Sequence, residues 1–164
     1  MNKPPKKAQI FMPPNTLRAK VGGGGYIDSD ILARAEKAVD GLKAEFSDWL
    51  AADISALSAA TVAFTAKPSP ETADALFRTA HDLRGQATTF EYPLIARIAA
   101  SLAKLMEGLG KTKTEVPPAL ISAHLDAIQV IYRDKVKDIS NYVALALTEE
   151  LERRVLKTLE RARP

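Results

Sequence analysis

The sequence has no cysteine and only two histidines among its 164 residues. The lack of cysteine excludes disulfides, thiolate nucleophiles and cysteine-ligated metal, and it makes a reducing compartment the natural setting. No stretch approaches the roughly 18 uninterrupted apolar residues of a membrane span, and the N-terminus lacks the apolar core of a signal peptide. We therefore expect a soluble, cytoplasmic protein without a membrane partner.

Acidic residues are absent from residues 1–27, which carry Lys3, Lys6, Lys7, Arg18 and Lys20. Because the whole chain has a formal net charge of +3, these five cations leave about −2 for the rest of the chain. A nucleic-acid-binding domain would carry clustered basic residues on its folded body. We therefore expect no nucleic-acid partner.

The same segment contains Pro4, Pro5, Pro13 and Pro14 and then the glycine run 22–25, which together oppose both helix and central strand. The glycines are not followed by Lys-Ser or Lys-Thr, so they do not form a phosphate-binding loop. The sequence predicts a flexible basic arm over residues 1–27 and a single domain over residues 28–164.

From Asp28 onward the apolar residues recur at helical spacing, and no convincing strand pattern occurs. The predicted helices run from Asp28 to about Thr65 (with a bend at Gly41 or 51–53), from Ser69 to about Phe90, from Pro93 to Gly108 or Gly110, from Pro118 to about Asn141, and from Val143 to Arg161. Short connections favour antiparallel neighbours. We predict an all-α fold, an antiparallel up-down four-helix bundle with an extra C-terminal helix that packs on it or pairs with a second copy.

His81 lies on the second predicted helix, about 100° from its apolar stripe, and should point outward. The stripe comprises Leu76, Ala80, Leu83, Ala87 and Phe90. Ser69 is a suitable N-cap and Pro70 a suitable first helical residue. His124, near the apolar stripe of the fourth helix, is interpreted as structural.

Gly85 stands inside the same helix, where it costs about 1 kcal/mol relative to alanine and so calls for a reason. His81, Arg84 and Gly85 share one side of the helix. A neutral imidazole can accept a phosphoryl group, and because the positive helix end is distant, Arg84 or Arg78 must compensate the added charge. Gly85 leaves room for a partner's active site, and Thr88 continues the stripe with a modest side chain.

The run Ala80-His81-Asp82-Leu83-Arg84-Gly85 resembles the His-x-Leu-Lys-Gly signature of histidine phosphotransfer (HPt) domains of two-component phosphorelays. The residues that follow, 86–90, and the helix from Leu94 to Leu105 are similar to the second signature helix of that family. The resemblance covers roughly residues 28–137. It departs from the family at Arg84, where lysine is commoner, and at Glu91, where many members have a glycine that closes the turn.

The resemblance implies a four-helix bundle whose His81 takes a phosphoryl group from the aspartyl phosphate of a receiver domain and passes it to another receiver. It implies Arg84 as the charge partner, Gly85 as the opening and Gln86 as a hydrogen-bonding aid. The surface that binds the partner is expected to include Gly85, Phe77, Arg78, Asp82 and Thr88. The chain itself is expected to hold no cofactor, metal or ATP, because the receiver supplies Mg²⁺. The implied partners are response-regulator receiver domains and a hybrid histidine kinase, in a bacterial cytoplasm.

Three interpretations remain open at the level of sequence. The first is the phosphotransfer protein described above, expected to be a monomer. The second is a dimeric phosphotransferase resembling histidine-kinase dimerisation domains. The third is a helical adaptor that binds a receiver while His81 never reacts. Phe77 is interpreted either as a docking residue or as a second core contact.

Overall fold

A computed structural model describes residues 29–112 and 115–162, together with their side chains except those at 29, 35, 40, 42–47, 111 and 112. The predicted arm and Asp28 lie outside the described residues. Five helices fill the described part, which contains no strand: α1 (Ser29–Ala66), α2 (Pro70–Thr89), α3 (Pro93–Thr112), α4 (Pro118–Arg133) and α5 (Tyr142–Arg161). The predicted all-α fold is confirmed.

The chain divides into two compact units, Met1–Asp40 and Gly41–Pro164. The described part of the first unit is the beginning of α1, where Ile31, Leu32 and Val39 are exposed. The second unit contains the remainder of α1 and helices α2 to α5.

The core of the second unit is built from the inward faces of all five helices. Helix α2 packs on α3, α3 packs on α4 and α5, and α4 packs on α5. Helix α1 contributes Leu50, Ile54, Leu57 and Phe64, all of them buried. The short connections between helices make consecutive helices antiparallel. The predicted bundle is therefore confirmed, and the fifth helix packs on it.

The segment Asp48–Ala66 of α1 is long and apolar enough to cross a membrane by length and composition alone. The apolar face of this segment is the one that supplies Leu50, Ile54, Leu57 and Phe64 to the core. The bundle buries 28% of this segment, so burial accounts for part of its apolar character.

Helix α3 continues through Gly108 and Gly110 to Thr112, so the predicted end at these glycines is wrong. The side chain of Leu159 on α5 lies so close to Gly108 that a Cβ atom there would collide with it. Gly108 therefore permits close packing of α5 on α3 and does not terminate the helix. Helix α1 is likewise uninterrupted through Gly41 and residues 51–53.

The turn between α2 and α3 is closed by Glu91, whose φ of 63° lies in the left-handed region. The Tyr92 N–H donates to the carbonyl of Ala87 (2.8 Å) and the Glu91 N–H to that of Thr88 (3.3 Å). These two bonds form a Schellman motif, in which glycine is the usual residue at the left-handed position. The departure at Glu91 thus leaves the turn intact, with a non-glycine residue in a conformation that glycine adopts more easily.

Candidate functional site

The start of α2 is set by a local capping arrangement. The Ser69 Oγ accepts from the Thr72 N–H (3.3 Å), and the Thr72 Oγ1 accepts from the Ser69 N–H (3.0 Å), forming a reciprocal capping box. Pro70 follows at the first helical position. The capping predicted for this helix is confirmed.

One stripe of α2 is buried and the opposite face is open to solvent. The buried residues of the helix are Leu76, Ala80, Leu83 and Ala87. The exposed residues include His81, Asp82, Arg84, Gly85, Gln86 and Thr88. The predicted outward orientation of His81 is confirmed, and the imidazole is accessible to another protein.

Phe77 lies one turn before His81, and the two ring centroids are 6.0 Å apart with planes tilted by 38°. The phenyl ring is half-buried and packs against the core. Phe77 is therefore a core contact, as one of its two interpretations expected, and its ring also borders the imidazole. It restricts the space available to His81 on this side of the ring.

Gly85 lies one turn after His81, and a Cβ atom at this position would meet nothing within 4 Å. The nearby Thr88 hydroxyl donates to the Arg84 carbonyl (2.9 Å), and the Thr89 hydroxyl donates to the Gly85 carbonyl (3.2 Å). Both threonine side chains are thus folded back onto their own helix. The surface beside His81 in the C-terminal direction is open, as the sequence predicted.

The two arginines near His81 differ in their contacts. The Arg78 Nε pairs with the Asp74 Oδ2 at 2.9 Å, an exposed i, i+4 ion pair. The Arg84 side chain is exposed and makes no hydrogen bond or ion pair with the part of the chain that the structure describes. Arg84 is therefore the cation that is available to a charge placed on His81.

A carboxylate that the sequence did not reveal lies on the neighbouring helix. Asp53 of α1 has its pKa raised above the ordinary value, first by burial and then by the negative charge of Asp82. The Asp53 Oδ2 is buried without a hydrogen-bond partner among the described residues. Helical geometry places Asp82 and Gln86 on one side of His81 and Arg84 on the other. His81 therefore stands between an acidic and a basic flank.

An apolar groove of about 640 Å³ lies on the N-terminal side of His81. Phe77 lines it together with Phe64, Met106 and Val116. Because the Phe77 ring also contacts the imidazole, the groove is continuous with the surface around His81.

His124, the second histidine, is fully buried and plays no part in this surface. Its Nδ1 is 2.7 Å from the Leu120 carbonyl and its Nε2 is 3.2 Å from the Ser101 Oγ. Because a carbonyl only accepts, Nδ1 carries the proton and Nε2 accepts from the serine hydroxyl. Burial lowers the pKa of this imidazole and keeps it neutral. The structural interpretation of His124 is consistent with this geometry.

The described residues contain no group of three or more histidine, aspartate or glutamate side chains that could hold a metal ion. The acidic pair at Asp53 and Asp82 is thus not part of a larger ligand set within the described chain. What the surface offers is one accessible imidazole, one available guanidinium and open space.

Comparison with protein families gives a match to the Hpt domain over residues 41–153. This region includes the whole of α2, α3 and α4 and most of α5. No curated protein and no solved structure was found to match the chain.

Proposed function

The chain belongs to the Hpt domain family, whose members carry out histidine phosphotransfer in two-component systems, and we propose that His81 is its phosphoacceptor. The observation that carries the proposal is the exposed imidazole of His81 beside the open position at Gly85. The other histidine is fully buried and hydrogen-bonded at both ring nitrogens.

In the proposed reaction the unprotonated ring nitrogen of His81 attacks the phosphorus of a receiver's aspartyl phosphate. An N–P bond forms while the P–O bond to the aspartate breaks, and the aspartate leaves as a carboxylate. The proton on the other ring nitrogen stays on the ring until solvent removes it. The reverse sequence, with a second receiver, returns the imidazole to its starting state. In-line transfer requires the receiver's active site to approach closely, which the space above Gly85 permits.

Arg84 is proposed to stabilise the phosphorylated imidazole. A group in the middle of α2 is too far from the helix N-terminus to gain from its partial positive charge, so a side chain must compensate. Arg84 is available for this role, while Arg78 is engaged by Asp74. Arginine keeps the charge of the commoner lysine and adds a planar fork of donors that matches a phosphoryl group.

The proposed partners are receiver domains and the kinase that feeds them. Hpt domains interact with both in phosphorelays, and a receiver would bring the Mg²⁺ that phosphoryl transfer requires. We propose that the receiver contacts Gly85, Asp82, Gln86 and Thr88 directly and rests on the apolar groove beside Phe77. The lack of cysteine favours the cytoplasm as the site of this exchange.

The direct test is incubation of the full chain with a phosphorylated receiver. We expect an acid-labile, base-stable phosphoprotein, with the phosphoryl group on the peptide that contains His81 and not on the peptide that contains His124. His81→Gln should abolish labelling while circular dichroism stays unchanged. Labelling that persists in this variant would contradict the assignment. Receiver binding that survives His81→Ala, with no transfer to the unmodified chain, would instead favour an adaptor.

A further inference from the structure

Asp82 places a negative charge directly beside His81. The two residues are consecutive on α2, so their Cα atoms are about 3.8 Å apart and their side chains diverge by about 100°. The Asp82 side chain is exposed and makes no hydrogen bond or ion pair with the described residues. Arg78, one turn earlier on the same face, pairs with Asp74 instead (2.9 Å). The charge of Asp82 is therefore not neutralised within the described part of the chain.

Helix α1 adds a carboxyl group to this flank of His81. The charge of Asp82 acts on Asp53 of α1, whose pKa is raised first by burial and then by this repulsion. The Asp53 Oδ2 is buried and has no hydrogen-bond partner among the described residues. Asp53 therefore gives the Asp82 carboxylate no compensation, and in its ionised form it repels Asp82.

The opposite flank of His81 carries a cation. Arg84 lies there, one turn further along α2, and its side chain is exposed and unpaired among the described residues. A negative group placed on the imidazole is therefore attracted from one side and repelled from the other. The balance of these two effects, and not Arg84 alone, sets the stability of a phosphoryl group on His81.

We propose that Asp82 destabilises the phosphorylated form of His81 and thereby makes the chain a better phosphoryl donor to a receiver. This inference rests on the proposed role of His81 as phosphoacceptor. A phosphoryl group carries about 1.5 to 2 negative charges at neutral pH, whereas the neutral imidazole carries none. Repulsion by Asp82 therefore raises the free energy of the phosphorylated chain and leaves that of the unmodified chain unchanged.

The step that this repulsion favours is transfer from His81 to the receiver. The carboxylate of the receiver's aspartate attacks the phosphorus, a P–O bond forms and the N–P bond breaks. The electron pair of that bond returns to the ring nitrogen, and the imidazole is neutral again. The phosphoryl group leaves the neighbourhood of Asp82 in this direction, so the equilibrium moves toward the phosphorylated receiver.

The expected effect is modest and depends on salt. At a separation of about 8 Å in water, a carboxylate and a group with two negative charges repel enough to change an equilibrium about fivefold. Screening at physiological ionic strength reduces this change to about twofold. An effect of this size shifts the direction of transfer and still permits His81 to be phosphorylated.

The first experiment measures the equilibrium between the full chain and a receiver with Mg²⁺. The ratio of labelled chain to labelled receiver is approached from both sides. We expect Asp82→Asn to shift this ratio toward phosphorylated His81, by about fivefold at low salt and about twofold at physiological ionic strength. The matched control is Asp126→Asn, an exposed carboxylate on α4, which should leave the ratio unchanged. An unchanged ratio for Asp82→Asn, or an equal shift in the control, would overturn the proposal.

The second experiment tests whether Asp82 acts through its charge. At 1 M salt the screening length falls to about 3 Å, so the difference between Asp82→Asn and the unmodified chain should disappear. Asp82→Glu keeps the charge and should keep the original equilibrium at every salt concentration. A shift that persists at 1 M salt, or that Asp82→Glu also shows, would mean that Asp82 acts through local structure and would contradict the proposal.

The third experiment separates this role from docking. If Asp82 only paired with a cation of the receiver, Asp82→Asn would weaken receiver binding and leave the equilibrium between the free phosphorylated proteins unchanged. Titration calorimetry with the unphosphorylated receiver measures the binding. A weaker affinity with an unchanged equilibrium would overturn the present proposal while labelling of His81 still supports the proposed function. Absence of labelling in the unmodified chain would overturn both.

Discussion

The ring of Phe77 lies against the imidazole of His81 on its N-terminal side, with the ring centroids 6.0 Å apart. On the C-terminal side of the imidazole, Gly85 leaves open space. The two neighbours make access to His81 directional, because one side is bounded by a ring anchored in the core and the other is clear. We therefore expect a partner's active site to approach over Gly85.

Replacement of Gly85 by leucine should slow phosphoryl transfer to His81 while stabilising the fold. The new side chain fills the open space, and we expect the rate of phosphoryl transfer from a receiver to fall at least about tenfold. Stability should rise by up to about 1 kcal/mol because leucine favours helix more than glycine does. The matched control is Gly41→Leu, at an exposed position of α1 where a Cβ atom also meets nothing within 4 Å and which does not line the apolar groove. Equal transfer rates for the two variants, measured with labelled receiver, would disprove the role of Gly85.

Arg84→Ala should lower transfer more than Arg78→Ala. The Arg78 guanidinium is held by Asp74, whereas Arg84 makes no such pair with the described residues and can meet a phosphoryl group. Arg84→Lys keeps the charge and should retain most of the activity, although it loses the bidentate geometry. The measurement is the single-turnover transfer rate together with the lifetime of phosphorylated His81. If Arg78→Ala were the more damaging variant, Arg84 would not be the charge partner.

Glu91→Gly should stabilise the protein by about 1 kcal/mol, because a non-glycine residue with left-handed backbone costs about that much. Lys135, with a φ of 53° after α4, offers a second position of the same kind. Its variant Lys135→Gly should show a similar gain. Chemical unfolding followed by circular dichroism measures both effects. If Glu91→Gly lowered the stability, the Glu91 side chain would stabilise the fold by more than its left-handed backbone conformation costs.

The sequence predicted what depends on neighbouring residues along the chain. Ser69 and Pro70 mark the start of α2 because capping is local. The spacing of Leu76, Ala80 and Leu83 then fixes the inward face, and His81 follows on the outward face.

Features that depend on packing between distant helices were not predictable in this way. Gly108 was interpreted as a helix end, since the sequence does not reveal that Leu159 packs directly upon it. The influence of Asp82 on Asp53 was missed for the same reason, because the two carboxylates lie on different helices. The only local sign in the sequence is that Asp53 stands next to residues of the core stripe. Residues 51–53 were interpreted as a possible bend in α1. Contacts of this kind become visible only when the helices are assembled.

Asp53→Asn should stabilise the protein at neutral pH, because an amide carries no charge to bury and does not repel Asp82. The pKa of Asp53 is raised in the folded chain above its ordinary value of 3.8, so folding disfavours the carboxylate and favours its protonated form. The unmodified chain therefore loses this destabilisation as the pH falls through the folded pKa toward 3.8. The difference in free energy of unfolding between the variant and the unmodified chain is accordingly largest at neutral pH and decreases as the pH falls. Urea unfolding at several pH values measures the difference, with Asp48→Asn, an exposed carboxylate on the same helix, as the control. A gain in stability that stays constant with pH, or that appears equally in the control, would show that burial and the charge of Asp82 do not raise the pKa of Asp53.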